Sequence, residues 1–179
     1  MSDQNISGEF WTFSLSVYGQ PGVEAACLRL QSSHQMDVNV VLFCAWAGVR
    51  GIALDDATLA GQIAGAAEWQ AHAVQPIRAI RRRLKDFSVA GLSHPQRDEL
   101  REAIKSVELQ AEKLEQTILA NTLAGQSPGD SSATLADANF EVYWRITAKG
   151  DHPQATAAWR IIRAAALPPA LAGIEGRGA

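Results

Sequence analysis

The segment Asp37-Val-Asn-Val-Val-Leu-Phe-Cys-Ala-Trp-Ala-Gly48 is apolar on every face after its first three residues. A helix that is hydrophobic all round has no side to offer water, so it belongs inside the protein. This one run therefore sets a central helix and makes the rest of the chain its cover. Asp37 and Asn39 open it. They are drawn inward at its first turn, where a buried polar group must find a partner. Val38-Asn-Val-Val41 would also suit a short strand, but no second strand is evident to pair with it, and helix is the reading taken.

The flanking pattern is helical throughout. Alanine and leucine are abundant and β-branched residues sparse, a composition that favours helix. Ser7 is placed to cap a first helix over Gly8 to Tyr18, with Phe10, Trp11, Leu15 and Tyr18 at helical spacing. Gly19 stops it. Pro21 then opens a second helix, ending near Ser33, whose inner side is Val23, Cys27, Leu28 and Leu30. Asp55 caps a long fourth helix whose periodicity runs to Phe87, with a kink or break at Pro76, where the ring removes the bond to the His72 carbonyl. Ser93-His-Pro-Gln96 has the form of a capping box and starts a fifth helix.

In that fifth helix Leu100, Ile104, Val107, Ala111, Leu114 and Ile118 recur in steps of four and three, a heptad seam. Ile77, Ile80, Leu84 and Phe87 keep the same rhythm. The two seams predict an antiparallel helical hairpin. The expected fold is all-α: a single helical domain with a buried central third helix and this long hairpin. Residues 1–124 are expected as the helical core, 125–134 as a linker rich in Gly, Ser and Pro, 135–166 as two short helices that either dock or stand apart, and 167–179 as a frayed tail. Ile174-Glu-Gly-Arg177 spells a protease-cleavage tetrapeptide and takes no part in the functional reading.

Bulk properties narrow the class. With 179 residues there is room for a real core. A net charge of −3 predicts no general affinity for nucleic acid. No run reaches the roughly 18–20 apolar residues that span a bilayer, and Met1-Ser-Asp-Gln-Asn-Ile lacks the basic start of a secretory leader. Cys27 and Cys44 are the two cysteines, both in apolar surroundings, which suits reduced, buried thiols and a cytoplasmic setting.

Phe10-Trp11, Phe13-Ser-Leu15, Val17-Tyr18, Pro21-Gly-Val23, Cys27-Leu28 and Leu30-Gln31, followed by Asp37-Val-Asn39, Leu42-Phe43 and Trp46, resemble the N-terminal signature of a proteobacterial family of uncharacterised proteins, a domain of unknown function. Trp69, Pro76, Arg78, Arg81-Arg82 and Leu84-Lys85 resemble its next block, and Glu108-Leu109 with Ala111-Glu112 its fifth-helix pattern. The resemblance covers roughly residues 10–119. It implies a bacterial, helical, cytoplasmic domain and carries no catalytic residue with it.

Two constellations are candidates for function. Arg78, Arg81, Arg82, Arg83 and Lys85 form a basic cluster. It reads either as an anion or acidic-partner site held by guanidinium forks, or as a solvated face paired with Asp98, Glu102, Glu108, Glu112 and Glu115 across the hairpin. On this reading Arg78, Arg82 and Lys85 point away from the core. Asp37 and Asn39 read either as a cap and its neighbour, or, beside His34, as the mouth of a pocket walled by Trp46 and Trp69. Gly61 and Gly65 with neighbouring alanines give the fourth helix a small-residue face, suited to close approach of another helix or to a ligand lying there. His34, His72, His94 and His152 are scattered, and Cys27, His34 and Cys44 fit no zinc spacing. No phosphate loop, nucleophile elbow or dinucleotide fingerprint occurs.

The functional expectation is a non-enzymatic protein-binding or adaptor module, with another protein or an anionic small molecule as partner, no cofactor and no metal, and a possible second copy on the heptad seam. The alternative is a ligand carrier or enzyme with a pocket near His34, Asp37, Asn39 and Trp46.

Overall fold

The structure is a computed structural model and describes residues 3–147 and 150–167. Every regular element among them is helical: α1 Asp3–Tyr18, α2 Val23–His34, α3 Val38–Val49, α4 Asp56–Trp69, a π-helical turn Gln70–Val74, α5 Gln75–Lys85, α6 His94–Asn121, α7 Ala133–Thr147 and α8 His152–Ala166. The fold is all-α. Its contacts group into two units. The first takes the described residues up to Trp11 and Ala57–Gln126; the second takes Thr12–Asp56 and the described residues from Ser127 onward.

The second unit is organised by α3. Asn39 through Gly48 are all buried, as an all-round apolar helix requires. Its cover comes chiefly from the C-terminal helices: α7 packs along α3, and α8 packs against α2 and α3. Phe140 of α7 and Trp159 of α8 stack face to face with ring centroids 4.6 Å apart. The α3–α7 approach is close because residue 48 is glycine. A Cβ there would lie 2.5 Å from the Ala136 Cβ. Gly51 (φ 65°) turns the chain out of α3 in a conformation that favours glycine. The expected linker is tied down at the same place: Gly129 N–H donates to the Arg50 carbonyl at 2.8 Å, and Ser132 N–H to the Gly48 carbonyl at 2.9 Å.

Several sequence expectations shift here. The first helix begins at Asp3, so Ser7 lies inside it, and its buried face is Phe10, Ser14 and Val17, with Leu15 and Tyr18 exposed. Pro21 lies outside α2, whose N-cap is the left-handed Gly22 (φ 81°). The buried face of α2 is Val23, Ala26, Cys27, Leu30 and His34, and Leu28 is exposed. The tail beyond Leu167, with the cleavage-like tetrapeptide, lies outside the described residues.

In the first unit, cross-pairs run in opposite directions along the chain. Gln62 Nε2 donates to Thr122 Oγ1 (2.6 Å), Gln70 Nε2 to Glu115 Oε2 (2.7 Å), and Arg78 Nε to Glu108 Oε1 (2.7 Å). Arg97 Nη1 reaches the Phe87 carbonyl (3.0 Å) at the far end. Ser93 and Gln96 make the capping box that starts α6. Pro76 does not simply break a straight helix. The chain widens before it into a π turn in which Gln75 N–H donates to the Gln70 carbonyl, five residues back. A π turn inserts one residue, rotating the rest of the helix by about 100° relative to straight α periodicity. Ile80, expected inside, is exposed, while Arg78 and Arg81 turn toward α6.

The seam on α6 differs in the same sense. Leu100, Val107, Leu114 and Ile118 are exposed. The inward strip is Ile104, Glu108, Ala111, Glu115 and Leu119, of which all but the half-buried Ile104 are buried. Two carboxylates sit where apolar residues were expected, because Arg78, Arg81 and Gln70 reach them. The small-residue face of α4 is not a close contact. A Cβ on Gly61 would meet nothing within 4 Å, and one on Gly65 would touch Ile118 at an ordinary 3.7 Å.

Candidate functional site

The candidate residues fall in both units. His34, Asp37, Asn39 and Trp46 belong to the second; Trp69, Arg78, Arg81, Arg82 and Lys85 belong to the first.

Asp37 is the N-cap of α3. Its backbone is extended (φ −79°, ψ 125°) and its Oδ1 accepts from Asn39 N–H at 2.8 Å, satisfying one of the free amides of a helix start. Its own N–H donates to the Tyr143 hydroxyl of α7 at 2.7 Å. Burial, followed by the nearby Asp37 charge, pushes the Tyr143 phenol well above its ordinary value, so it stays neutral. Asn39 is buried in the first turn. Trp46 sits two turns further along α3, its ring centroid 6.2 Å from that of Phe43 and 5.1 Å from the Arg50 guanidinium carbon.

His34 ends α2 and is 2% exposed. It lies edge-on to Trp144, with ring centroids 5.5 Å apart, and Trp144 in turn meets His152 at 4.9 Å. His152 Nε2 is 2.9 Å from Glu141 Oε2. Gly150 (φ 102°) lets the chain pass this row; a Cβ on it would lie 3.2 Å from His34 Nδ1. The row His34–Trp144–His152–Glu141 was not read from the sequence. Its members come from three helices, and apart from Glu141 and Trp144, one turn apart on α7, no local spacing links them.

The basic cluster divides in two. Arg78 Nε bonds Glu108 Oε1 and its Nη2 bonds Glu112. Arg81 bonds both Glu108 oxygens, Nε to Oε2 and Nη2 to Oε1. Glu108 thus bridges two guanidiniums. Burial alone would raise its carboxyl, but hydrogen bonds from Arg81 and Arg78 and their charges hold it below the ordinary value. Arg78 is correspondingly raised: burial opposes its charge, and Glu108 and Glu112 more than offset that. The expectation that Arg78 points away from the core is corrected by these bonds. Arg82, Arg83 and Lys85 are exposed on α5. Trp69 donates its indole N–H to the Ala111 carbonyl at 2.9 Å, a partner within its own unit.

Neither thiol is a nucleophile in this setting. Burial pushes Cys27 up to about 12 and Cys44 higher still, so both are protonated near neutrality. Among the described residues, no group of three or more His, Cys, Asp or Glu side chains is placed to hold a metal ion. No helix among them is long and apolar enough to cross a membrane.

The family model for the protein of unknown function DUF2390 matches residues 9–119, more than half of the chain. The chain belongs to the DUF2390 family. No curated protein and no solved structure matches it. The DUF2390 match begins within α1 and ends within α6. It therefore includes the central α3 but stops short of α7 and α8, the helices that pack on α3 and α2.

Proposed function

We propose that this DUF2390 protein is a non-enzymatic protein-binding module that takes an acidic partner on the outer face of α5. The observation that carries this reading is the division of the basic cluster. Arg78 and Arg81 are consumed by Glu108 and Glu112 inside the unit, and Arg82, Arg83 and Lys85 stand exposed on α5, Arg83 one turn from the exposed Ile80. Three exposed cations with an apolar side chain next to one of them suit an amphipathic helix whose polar side is acidic. The apolar contacts supply affinity, and the charges supply encounter rate and orientation.

The test compares affinity capture by the wild type with capture by Arg82→Glu/Arg83→Glu/Lys85→Glu, followed by direct binding of the purified chain to any protein lost from the variant. Loss of specific, salt-sensitive binding through an acidic segment supports the reading. Recovery of the same proteins by both forms contradicts it. Arg78 is left untouched, because reversing it would disrupt the interior. The alternative, a ligand pocket near His34, Asp37, Asn39 and Trp46, has less support, since an Asp37 carboxylate oxygen already serves the α3 cap.

A further inference from the structure

The outer side of α6 carries a second apolar feature, on a different face from the basic one. Leu100, Val107 and Leu114 are 53%, 50% and 52% exposed. Steps of seven residues return nearly to the same side of a helix, drifting by only about 20° each. The three therefore form one stripe, with exposed Ala103 and Gln110 in the intervening positions. Leucine and valine left half in water at this strict interval, along a 28-residue helix, make a row that a second helix could cover by knobs-into-holes packing.

We infer that this stripe is a self-association surface, on which α6 of a second copy packs antiparallel. The charges beside the stripe select this occupant. Glu99, Ser106 and Lys113 share one flank of the row and all three are exposed; the Lys113 ammonium lies 5.7 Å from the Trp11 ring centroid, a contact it exchanges for Glu99 in the pair. In an antiparallel pair related by a two-fold axis between Ser106 and Val107, each side chain meets its equivalent at the opposite height on the same flank. Leu100 then faces Leu114 of the second copy, Val107 faces Val107, and Ser106 faces Ser106. Glu99 faces Lys113, twice by symmetry. A parallel in-register pair would instead place the two Glu99–Lys113 flanks on opposite sides of the interface, where neither residue meets its opposite charge. The row is thus complementary to itself in one direction only.

Sedimentation of the full chain over a range of concentrations tests this. A reversible monomer–dimer equilibrium is expected, abolished by Val107→Glu. Glu99→Lys and Lys113→Glu should each weaken the dimer about tenfold, since each loses two symmetric rim pairs and gains repulsion, and Glu99→Lys/Lys113→Glu together should restore it. Orientation is read by oxidising a mixture of Leu100→Cys and Leu114→Cys chains: the antiparallel pair gives the mixed cross-link, the parallel pair only the like ones. All these positions are exposed, and helical circular dichroism with a cooperative melt confirms that each variant folds. A monomer at every concentration, a dimer indifferent to Val107→Glu, or failure of the double charge swap to restore association would overturn the inference.

Discussion

Asn139 of α7 accepts the Leu54 amide on its Oδ1 at 2.8 Å, in the loop that leaves α3. The same side chain donates to the Ile52 carbonyl at 3.0 Å and to the Cys44 carbonyl at 3.4 Å. A single amide, 1% exposed, so satisfies buried backbone groups that the end of α3 leaves open. Asn139→Ala should destabilise the second unit by about 2–3 kcal/mol, because buried donors and acceptors lose their partner without regaining water. Denaturant unfolding followed by tryptophan fluorescence measures it. A change below about 0.5 kcal/mol, the scale of an ordinary surface substitution, would contradict the account.

The glycines divide by their surroundings. Gly48→Ala forces a methyl into the backbone and side chain of Ala136 and should destabilise by about 1–3 kcal/mol, as overpacking does. Gly61→Ala places the same methyl in open space within α4, and should stabilise by about 0.5–1 kcal/mol by restricting the unfolded chain. Thermal melts of the two variants should shift in opposite directions.

Acid should loosen the first unit through Glu108. Its folded carboxyl is held below the ordinary value of 4.5, so as pH falls the unfolded chain takes up the proton first. The stabilisation is full above that value and is lost as pH falls through the lowered folded one. Glu108→Gln should remove this part of the pH dependence and cost about 2 kcal/mol near neutrality, by leaving Arg78 and Arg81 without a shared counter-charge. Unfolding free energies measured from neutrality down through the carboxylate range, for both forms, check the sign and the difference.

How far the sequence could be read depended on whether each signal was local. The identity of α3 needed nothing beyond its own residues, since no other role suits a helix apolar on every side. The capping box at Ser93 and Gln96, and the cap at Asp37, are also contained in a few consecutive positions. The strip that α6 buries is hidden in the sequence because Glu108 and Glu115 count as surface residues until Arg78, Arg81 and Gln70 are known to reach them. Pro76 announces an irregularity in this stretch, but not that it takes the form of the π turn at Gln70–Val74. The partners of α3 were not legible either. The inner faces of α7 and α8 are amphipathic in the ordinary way, and nothing local says which helix they cover. For the same reason the row His34–Trp144–His152 was visible only as scattered histidines.

The central helix α3 is sealed by α7 and α8, from outside the stretch that the family model matches. Amide hydrogen exchange across Val40–Ala47, compared between the full chain and a chain ending at Gln126, tests this most directly. In the full chain these amides should exchange only through global unfolding. In the shortened chain their protection should collapse, with exposed apolar surface and aggregation. Rapid exchange in the full chain, or equal protection in both, would contradict it.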